Sequence, residues 1–349
     1  MLGSAALAAL LALGLADGRP PAALSGLDPV ELCQGREKPG QESIDFVHGR
    51  YRYLFTTAES RATFEKDPAR WRIQLGGACA RMGPLSGAGG PSRFAVHDGK
   101  IYLFASDACR KAFLADPAAH LERDDARPEG DAEKGRALLA RAVAAAGGEK
   151  AIDAVATYRE SMRRTLASGG QDYVNVETLT IAFPGRVRTD SAWNESRYAN
   201  VLSDGTGVLI GSGESHAMEE SQVAALRREA SRHPLAILKA RSRPAFVAVA
   251  ASARDGLDAV TVYFDGAATT LGLEPATGRV AKAWYRGRPG AAPPGAIVVE
   301  YSDHRDAGGG LTLPATRRVT WEGKPVDDLS GTFEIAVNPS LDPALFEVK

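Results

Sequence analysis

The sequence is poor in cysteine, balanced in charge and nearly free of long apolar runs. With 3 cysteines in 349 residues, one thiol is left over from any intramolecular disulfide. A formal net charge of −1, without a basic stripe interleaved with aromatic residues, excludes the charge pattern of nucleic-acid-binding proteins. Beyond the N-terminus no segment is apolar enough to cross a membrane. The composition is typical of a soluble globular protein with two or three domains.

Familiar catalytic motifs are missing as well. There is no Gly-x-Ser-x-Gly turn and no Cys-x-x-Cys pair, which are the sequence marks of many hydrolases and thiol oxidoreductases. His216, Glu219 and Glu220 lie near metal-binding helical spacing, but the second histidine of a zinc-protease helix is absent. We therefore expect no catalytic residue and no enzymatic activity.

Residues 1–16 contain the only strongly apolar segment. Its Ala/Leu core at 5–13 is too short to span a bilayer but fits a secretory signal, and the small residues at 14–16 fit a cleavage site. No Lys or Arg precedes the core, so an apolar tail is the alternative, and no cysteine follows closely enough for a lipid anchor. We expect an exported, soluble protein, periplasmic or otherwise outside the cytoplasm, whose mature chain begins near Asp17.

Between Cys33 and His120 a set of residues recurs 49 positions later without a gap. Repeated units usually share a fold while their chemistry diverges. In this register the second copy has Cys109 where the first has Ser60, and Cys79 where the first has Val30. The recurring pairs are His48/His97, Tyr53/Tyr102, Phe55/Phe104, Phe64/Phe113, Asp67/Asp116 and Pro68/Pro117.

Each copy predicts a β-hairpin followed by a helix. Aromatic-rich runs at 50–55 and 100–104 are typical of strands. Thr57 and Ser106 are favourable N-cap residues. Each helix should end before the Asp-Pro pair, because the residue before proline avoids helical dihedrals.

The repeats set the boundaries of the first part of the chain. We place the first repeat at 28–75, the second at 76–122 and a charged linker at 123–130. Units of this size need a partner, a metal or a disulfide to be stable. Two copies packed together are the simplest arrangement.

Residues 131–349 predict one helix and then a long antiparallel meander, with a helical insertion at 215–241. Asp131 is the expected N-cap, and Gly147-Gly148 should end the helix. Alternating apolar residues separated by Asp-Gly and similar pairs are typical of successive strands. The expected fold class is α+β: two small hairpin-plus-helix repeats, then a curved antiparallel β half-barrel covered by helices.

Three stretches of the repeat region form a motif: DPVELCQG, HGRYRYLFTTAESRATFEKDPARW and HDGKIYLFASDACRKAFLADPAAHL. With it, residues 28–122 resemble YHS domains, which have a cysteine-containing loop, then Y-x-F-x-S-x-x-C, then a helix ending F-x-x-D/N-P. Related domains occur in metal-handling proteins, copper transport among them, where their cysteines are proposed ligands. The first copy departs from the pattern at Ser60, so the resemblance implies a complete site in the second copy alone.

Residues 131–349 carry a second motif: AAGGEKAIDAV after the opening helix, then GGGLTLPATRRVTW, then NPSLDPALFEVK. With these stretches the segment is similar to the sheet-and-helix fold of periplasmic lipoprotein carriers of the Lol type. Such carriers hold acyl chains between a concave sheet and helices. The resemblance implies a lipid or other apolar ligand, without assigning that task to any individual residue.

The candidate metal ligands are Cys79, Met82, Cys109 and His97. Thiolate and thioether sulfurs favour Cu(I), and thiolate also suits Zn(II), so copper or zinc is the expected metal. Cys79-x-x-Met82 is a loop spacing that suits two ligands of one ion, and Cys109 would enter at a helix start that acidifies thiols.

Alternatives remain open for these residues. An oxidising compartment favours a Cys79–Cys109 disulfide, and the two cysteines could also serve neither purpose. His97 precedes a turn glycine, as His48 does, so a structural role in the hairpin is the alternative to ligation. Cys33 is either a free thiol or part of a metal site.

The favoured function is that of a non-catalytic exported binding protein. Its YHS-like module would bind a metal or a protein partner, and its half-barrel would hold an apolar or lipid ligand. The alternative is an interaction scaffold with a Cys79–Cys109 disulfide and no ligand.

Overall fold

The computed structural model describes residue 20 and residues 22–168, 171–211 and 214–348. The chain forms two compact units. The first comprises the residues up to Glu122 together with Gly290–Pro293, and the second comprises Arg123–Pro289 and Pro294–Lys349. The predicted signal segment, residues 1–16, lies outside the described residues. No helix in the described ranges has the length and apolar character that a membrane span requires.

The first unit contains two antiparallel hairpins, each followed by a nine-residue helix and a short helix. Its elements are α1 (Pro29–Cys33), β1 (Gln41–His48), β2 (Tyr51–Phe55), α2 (Ala58–Lys66), α3 (Pro68–Trp71), β3 (Gly90–His97), β4 (Lys100–Phe104), α4 (Asp107–Ala115) and α5 (Pro117–His120).

The predicted helix boundaries in this unit are confirmed. The Thr57 hydroxyl accepts a hydrogen bond from the backbone N–H of Ser60 at 3.1 Å, which caps α2. The Ser106 hydroxyl caps α4 in the same way, accepting from the N–H of Cys109 at 3.2 Å. Both helices end before an Asp-Pro pair, whose proline begins the next short helix because it needs no N–H partner there.

Equivalent residues in the two halves of the first unit are separated by 51 positions in one part and by 49 positions in another. The N–H of Ala23 donates to the carbonyl of Arg52, and the N–H of Gln74 donates to the carbonyl of Ile101, both at 2.8 Å. From Ala23 to Gln74 the shift is 51, whereas from Arg52 to Ile101 it is 49. A loop in the second half is therefore two residues shorter than its counterpart.

This change of shift corrects one alignment made from the sequence. The N–H of Asp28 bonds the carbonyl of Lys38 at 2.9 Å, as the N–H of Cys79 bonds that of Gly87 at 3.0 Å. Cys79 therefore occupies the position of Asp28. The gapless match of Cys79 with Val30 is wrong, because the loop deletion lies between this position and the hairpin.

Aromatic side chains form the core of each half. Phe64 lies against Tyr53, with ring centroids 4.8 Å apart, and Phe113 lies against Tyr102 at 5.3 Å. Strand β4 is buried on both faces. Tyr102 and Phe104 pack with Phe113, whereas Ile101 and Leu103 belong to the cluster around Phe64. The second half therefore contributes to the core of the first, as expected for units too small to fold alone.

The second unit contains four helices and fifteen strands within the described residues. They are α6 (Ala132–Ala145), α7 (Glu149–Asp153), β5 (Thr157–Ser168), β6 (Gln171–Ala182), β7 (Arg186–Trp193), β8 (Ser196–Ser203), β9 (Thr206–Gly211), β10 (Glu214–Ala217), α8 (Glu220–Ser231), α9 (Pro234–Ala240), β11 (Val247–Arg254), β12 (Leu257–Phe264), β13 (Ala267–Leu273), β14 (Val280–Gly287), β15 (Gly295–Gly308), β16 (Leu311–Trp321), β17 (Lys324–Pro325), β18 (Gly331–Thr332) and β19 (Glu334–Val337).

Two antiparallel sheets make up this unit. One has the strand order β10-β9-β8-β7-β6-β5-β19, and the other runs from β11 to β17 in sequence order, with β18 paired to β16. The mixed α+β architecture with antiparallel sheets and few helices was predicted from the strand alternation. The Asp131 cap of α6 is confirmed as well, since its carboxylate accepts from the N–H of Lys134 at 2.9 Å.

The helical insertion is shorter than predicted. Helix was expected from residue 215, but β10 forms there instead, with His216 paired to Leu209 of β9. Helices α8 and α9 follow, and α9 begins at Pro234. The interpretation of His216 as part of a helix face is therefore wrong, because edge pairing with β9 satisfies its backbone.

Charged residues after Glu122 bind to the second unit. The Asp124 carboxylate accepts from Arg228 of α8 at 2.8 Å, and the Asp125 carboxylate accepts from Arg232 at 3.1 Å. Asp125 also accepts from the N–H of Ala268 in β13 at 2.8 Å. Part of the predicted linker is thus an ordered segment of the second unit.

Different side chains pack on the two faces of the sheet formed by β5 to β9. On one face Val201, Val208 and Phe346 form a cluster in which the C-terminal segment packs against the sheet. On the opposite face of β5, Tyr158, Glu160 and Met162 are buried in alternation. On this face of β5 the charged residue Glu160 lies between two buried uncharged residues, Tyr158 and Met162.

Candidate functional site

In the first unit the two thiols of the second half meet. Cys79 is fully buried beside β4, and Cys109 lies in the first turn of α4. Cys109 packs, partly buried, against the cluster that contains Cys79, so the two thiols are neighbours. Loop and helix start therefore bring together two predicted ligands that are 30 positions apart in the sequence.

Both cysteines are free thiols, so the disulfide of the alternative prediction is not formed in the structure. Burial raises the pKa of Cys79 above its ordinary value; the neighbouring Cys109 raises it further, and the N–H groups of Ala105 and Met82 oppose the change. The buried thiol is thus protonated at neutral pH. A metal ion would have to displace that proton, which couples its binding to pH.

Met82 belongs to the same cluster as the two thiols. Its side chain packs, partly buried, against the core that contains Cys79 and Cys109. The N–H of Met82 also donates to the carbonyl of Cys79 at 2.8 Å, which closes the turn between them. Three soft sulfur atoms thus lie in one cluster.

The structure places His97 between Phe113 and Asp98. Its ring stands edge-on to Phe113, with centroids 6.0 Å apart, and its Nε2 lies 3.3 Å from the Asp98 carboxylate. His48 meets Phe64 at the same 6.0 Å in the first half. Among the described residues no three His, Cys, Asp or Glu side chains form a group that could hold a metal. The repeated His–Phe contact supports the structural role for His97.

Cys33 lies in the first half, packed against its aromatic cluster. Burial raises the pKa of this thiol to about 11, against a smaller opposing effect of Arg70. Cys33 is therefore a protonated, unreactive thiol at neutral pH.

In the first half, the carboxylate of Asp28 and the hydroxyl of Ser60 occupy the positions of the two thiols of the second half. Asp28 occupies the position of Cys79, and its Oδ2 accepts from the hydroxyl of Ser60, the counterpart of Cys109, at 2.7 Å. The same oxygen accepts from the N–H and the hydroxyl of Thr56 at 2.8 and 2.9 Å. This buried carboxylate is fully used in holding the fold, so any soft-metal chemistry belongs to the second half.

In the second unit a buried polar cluster connects both sheets with α9. Glu160 of β5 accepts at Oε2 from the Tyr158 hydroxyl, at 2.9 Å, and contacts His233 Nε2 at 3.2 Å. Its Oε1 accepts from Arg317 of β16 at 3.0 Å. His233 caps α9, because its Nδ1 accepts from the N–H of Leu235 at 3.3 Å. Nε2 therefore carries the proton and donates to Glu160.

Electrostatics keep Glu160 ionised despite its burial. Burial alone would raise the pKa of its carboxyl, but the charge of Arg317, with the hydrogen bonds from His233 and Tyr158, lowers it to about 2. The guanidinium of Arg317 also lies over the Phe333 ring, 4.1 Å from its centroid. The cluster is charged but internally paired.

Two adjoining clefts flank α9. The polar cleft has an empty volume of about 350 Å³, open solvent included, and is lined by the Glu160 cluster together with Tyr301 and Phe333. The apolar cleft, of about 290 Å³ with open solvent included, is lined mainly by Ala142, Ala145, Leu238, Val280 and Leu313, and Arg279 and His304 also belong to its lining. Pro234, Leu313 and Pro314 belong to both clefts. An apolar compartment thus adjoins a compartment with fixed charges.

No family model and no curated protein matches the sequence. Solved structures that are similar include a DUF1329 family protein from Desulfovibrio piger, with 12% identity, a TM-score of 0.37 and coverage of 63% of this chain and 98% of the other. An outer membrane lipoprotein-sorting protein domain from Vibrio parahaemolyticus has 11% identity, a TM-score of 0.36 and coverage of 62% and 97%. A LolA superfamily protein from Nitrosomonas europaea has 9% identity, a TM-score of 0.38 and coverage of 61% and 97%. A likeness at this level assigns neither a family nor a function to this chain.

The sequence interpretation missed the Glu160 cluster. Its members are far apart in the chain: His233 is 73 positions and Arg317 is 157 positions from Glu160. Two local signals were present. Glu160 interrupts the buried alternation of Tyr158 and Met162, and His233 directly precedes a proline that begins a helix.

Proposed function

We propose that this protein is a non-catalytic binding protein whose second unit holds an apolar or lipid ligand. The observation that supports this most directly is the apolar cleft between α6, α9 and the β14–β16 region, adjoining the polar cleft at Pro234, Leu313 and Pro314. Apolar walls with a few fixed polar groups are the usual composition of small-molecule sites.

The bonding of the polar cluster supports binding rather than catalysis. Both ring nitrogens of His233 are hydrogen-bonded, and both oxygens of Glu160 accept hydrogen bonds. A general base must have a free lone pair directed at its substrate. His233 has none in this arrangement, and the Glu160 carboxylate, with its pKa lowered to about 2, is a weak base.

Filling the apolar cleft tests this proposal. Ala145 lines the cleft on α6, whereas the neighbouring Ala144 is exposed on the same helix. Ala145→Phe should weaken binding of the apolar dye 1-N-phenylnaphthylamine by about tenfold, since the new ring occupies the ligand's space. Ala144→Phe is the matched control and should bind the dye like the wild type. Equal binding by both variants, or no dye binding by the wild type, would favour the scaffold alternative without a ligand.

We also propose a soft-metal site in the first unit, at Cys79, Cys109 and Met82, as a second function. The packing of Cys79, Cys109 and Met82 in one cluster supports it, because these donors favour Cu(I), and the thiolates also suit Zn(II). His97 is left out of the ligand set on account of its contacts with Phe113 and Asp98.

Metal analysis of the reduced protein tests this site. After incubation with Cu(I) or Zn(II) and desalting, the wild type should retain about one equivalent of metal, and Cys109→Ser should lose it. Cys33→Ser is the matched control and should retain the metal, since Cys33 lies in the cluster of the first half. Equal metal content in the wild type and Cys109→Ser would remove the proposal.

Export to the periplasm is part of the proposal and rests on the sequence of residues 1–16 alone. N-terminal sequencing of protein recovered from the producing cells should find a chain that begins near Asp17. Recovery of a chain that still begins at Met1 would contradict export.

A further inference from the structure

Two hydrogen-bond donors in the polar cleft have no partner among the described residues. Tyr301 of β15 and Arg317 of β16 are directly opposite each other across the two strands. Arg317 uses Nε on the carbonyl of Leu329, at 3.1 Å, and Nη1 on Glu160, at 3.0 Å, which leaves Nη2. The Tyr301 hydroxyl makes no hydrogen bond to the described part of the chain, although its residue lines the cleft.

Most acceptor positions of the cleft, in contrast, are in use. Glu160 accepts three hydrogen bonds, counting that from His233, and His233 Nδ1 accepts from Leu235. The hydroxyl of Thr316 is hydrogen-bonded to that of Thr332 at 2.8 Å. The cleft therefore offers donors to a ligand, and the complementary group on that ligand is an acceptor oxygen.

The neighbouring surface indicates what carries this oxygen. The apolar cleft begins at Pro234, Leu313 and Pro314, which also bound the polar cleft. A ligand that uses both clefts has an acceptor oxygen at one end and a hydrocarbon chain behind it. A cationic head group does not fit, because Arg317 is already paired with the one carboxylate of the cluster.

We infer that the polar cleft binds the oxygen of an acyl group through the Tyr301 hydroxyl and Arg317 Nη2, while the acyl chain lies in the apolar cleft. This inference rests on the proposed binding of an apolar ligand and adds the chemistry that recognises its polar end. A free carboxylate and an ester carbonyl share that chemistry. Tyr301 is a specificity-determining residue in this arrangement, whereas Arg317 also holds Glu160.

The test measures displacement of 1-N-phenylnaphthylamine by three ligands of equal chain length. Decanoate and methyl decanoate carry the acyl oxygen, and 1-chlorodecane carries none. The wild type should prefer both acyl ligands to 1-chlorodecane. Tyr301→Phe removes one hydroxyl that has no hydrogen bond to the described residues, so it should fold normally and lose about three- to tenfold affinity for the acyl ligands, as expected for one hydrogen bond. Its affinity for 1-chlorodecane should not change.

Tyr263→Phe on β12 is the matched control, because Tyr263 lines neither cleft. A loss for decanoate alone would support the inference with a carboxylate as the bound group, and a loss for both acyl ligands would support it with a carbonyl. An equal loss for 1-chlorodecane, or no loss for any ligand, would overturn it while the chain-binding function stands. Failure of all three ligands to bind the wild type would overturn the proposed function as well.

Discussion

Glu160 remains charged in a buried position because its neighbours compensate for the water it has lost. Arg317, His233 and Tyr158 supply donors from another strand, a helix start and its own strand. Removing one partner from such a buried pair costs far more than a surface ion pair contributes. The same residues that line the polar cleft therefore also connect the two sheets of the second unit.

This arrangement predicts a specific pH dependence of stability. The carboxyl pKa falls from 4.5 to about 2 on folding, so the folded state favours the ionised form. The contribution of Glu160, on the order of 3 kcal/mol, is fully present above about pH 4.5 and is lost as the pH falls towards 2.

Urea unfolding of the wild type and Glu160→Gln between pH 7 and pH 2 measures this contribution. The variant should be less stable by about 3 kcal/mol at pH 7, and the difference should shrink between pH 4.5 and 2. Charges elsewhere in the protein affect both proteins alike. A difference that stays constant across this range would show that the carboxylate of Glu160 is not what stabilises the fold.

At the residue scale the sequence indicated the cluster of sulfur-containing residues but not the cluster of charged residues around Glu160. Cys79, Met82 and Cys109 stand out because cysteine and methionine are rare in this chain, and the repeat placed them near one helix start. Glu160 and Arg317 are two among many charged residues. Only the pairing of distant strands distinguishes them, and that pairing is not encoded in a local pattern.

At the scale of elements, the hairpins of the first unit depend on close backbone approaches. A Cβ added to Gly89 would lie 2.5 Å from the Cβ of Leu103 in β4, and one added to Gly40 would lie 2.5 Å from that of Leu54 in β2. The two glycines are 49 positions apart and fulfil the same task. Each lets the chain pass directly over a buried strand.

Gly89→Ala should therefore destabilise the first unit by about 1–3 kcal/mol, because the new methyl group has to displace a buried strand. Gly185→Ala is a suitable control, since a Cβ there would meet only the Asp204 carboxylate, at 3.7 Å. Chemical denaturation followed by circular dichroism gives both values. Equal stability of Gly89→Ala and the wild type would contradict the close packing described here.

Helices and turns of this protein follow local rules, and most were predicted. The caps at Thr57, Ser106 and Asp131 and the breaks before proline depend on a few neighbouring residues. The region at 215–219 was misread because its residues suit a helix locally, while an edge of β9 was available to pair with them. Tertiary pairing overrode the local preference there.

At the scale of the whole molecule, the buried clusters described above each lie within one of the two units. The repeat, and the change of sequence pattern after residue 122, indicated this division. The strand order within the sheets, in contrast, is known only from the structure. Units with their own cores generally unfold as separate cooperative transitions. Two substitutions already introduced distinguish them, since Gly89 belongs to the first unit and Glu160 to the second.

Calorimetry of the full-length chain should therefore show two thermal transitions. Gly89→Ala should lower the midpoint of one and leave the other unchanged, whereas Glu160→Gln should lower only the other. Fluorescence assigns the transitions, because Trp71 is the one tryptophan of the first unit, and Trp193, Trp284 and Trp321 belong to the second. In a Trp71→Phe background the fluorescence change should follow only the transition that Glu160→Gln lowers. A single transition shifted by both substitutions would mean that the two units fold as one cooperative body.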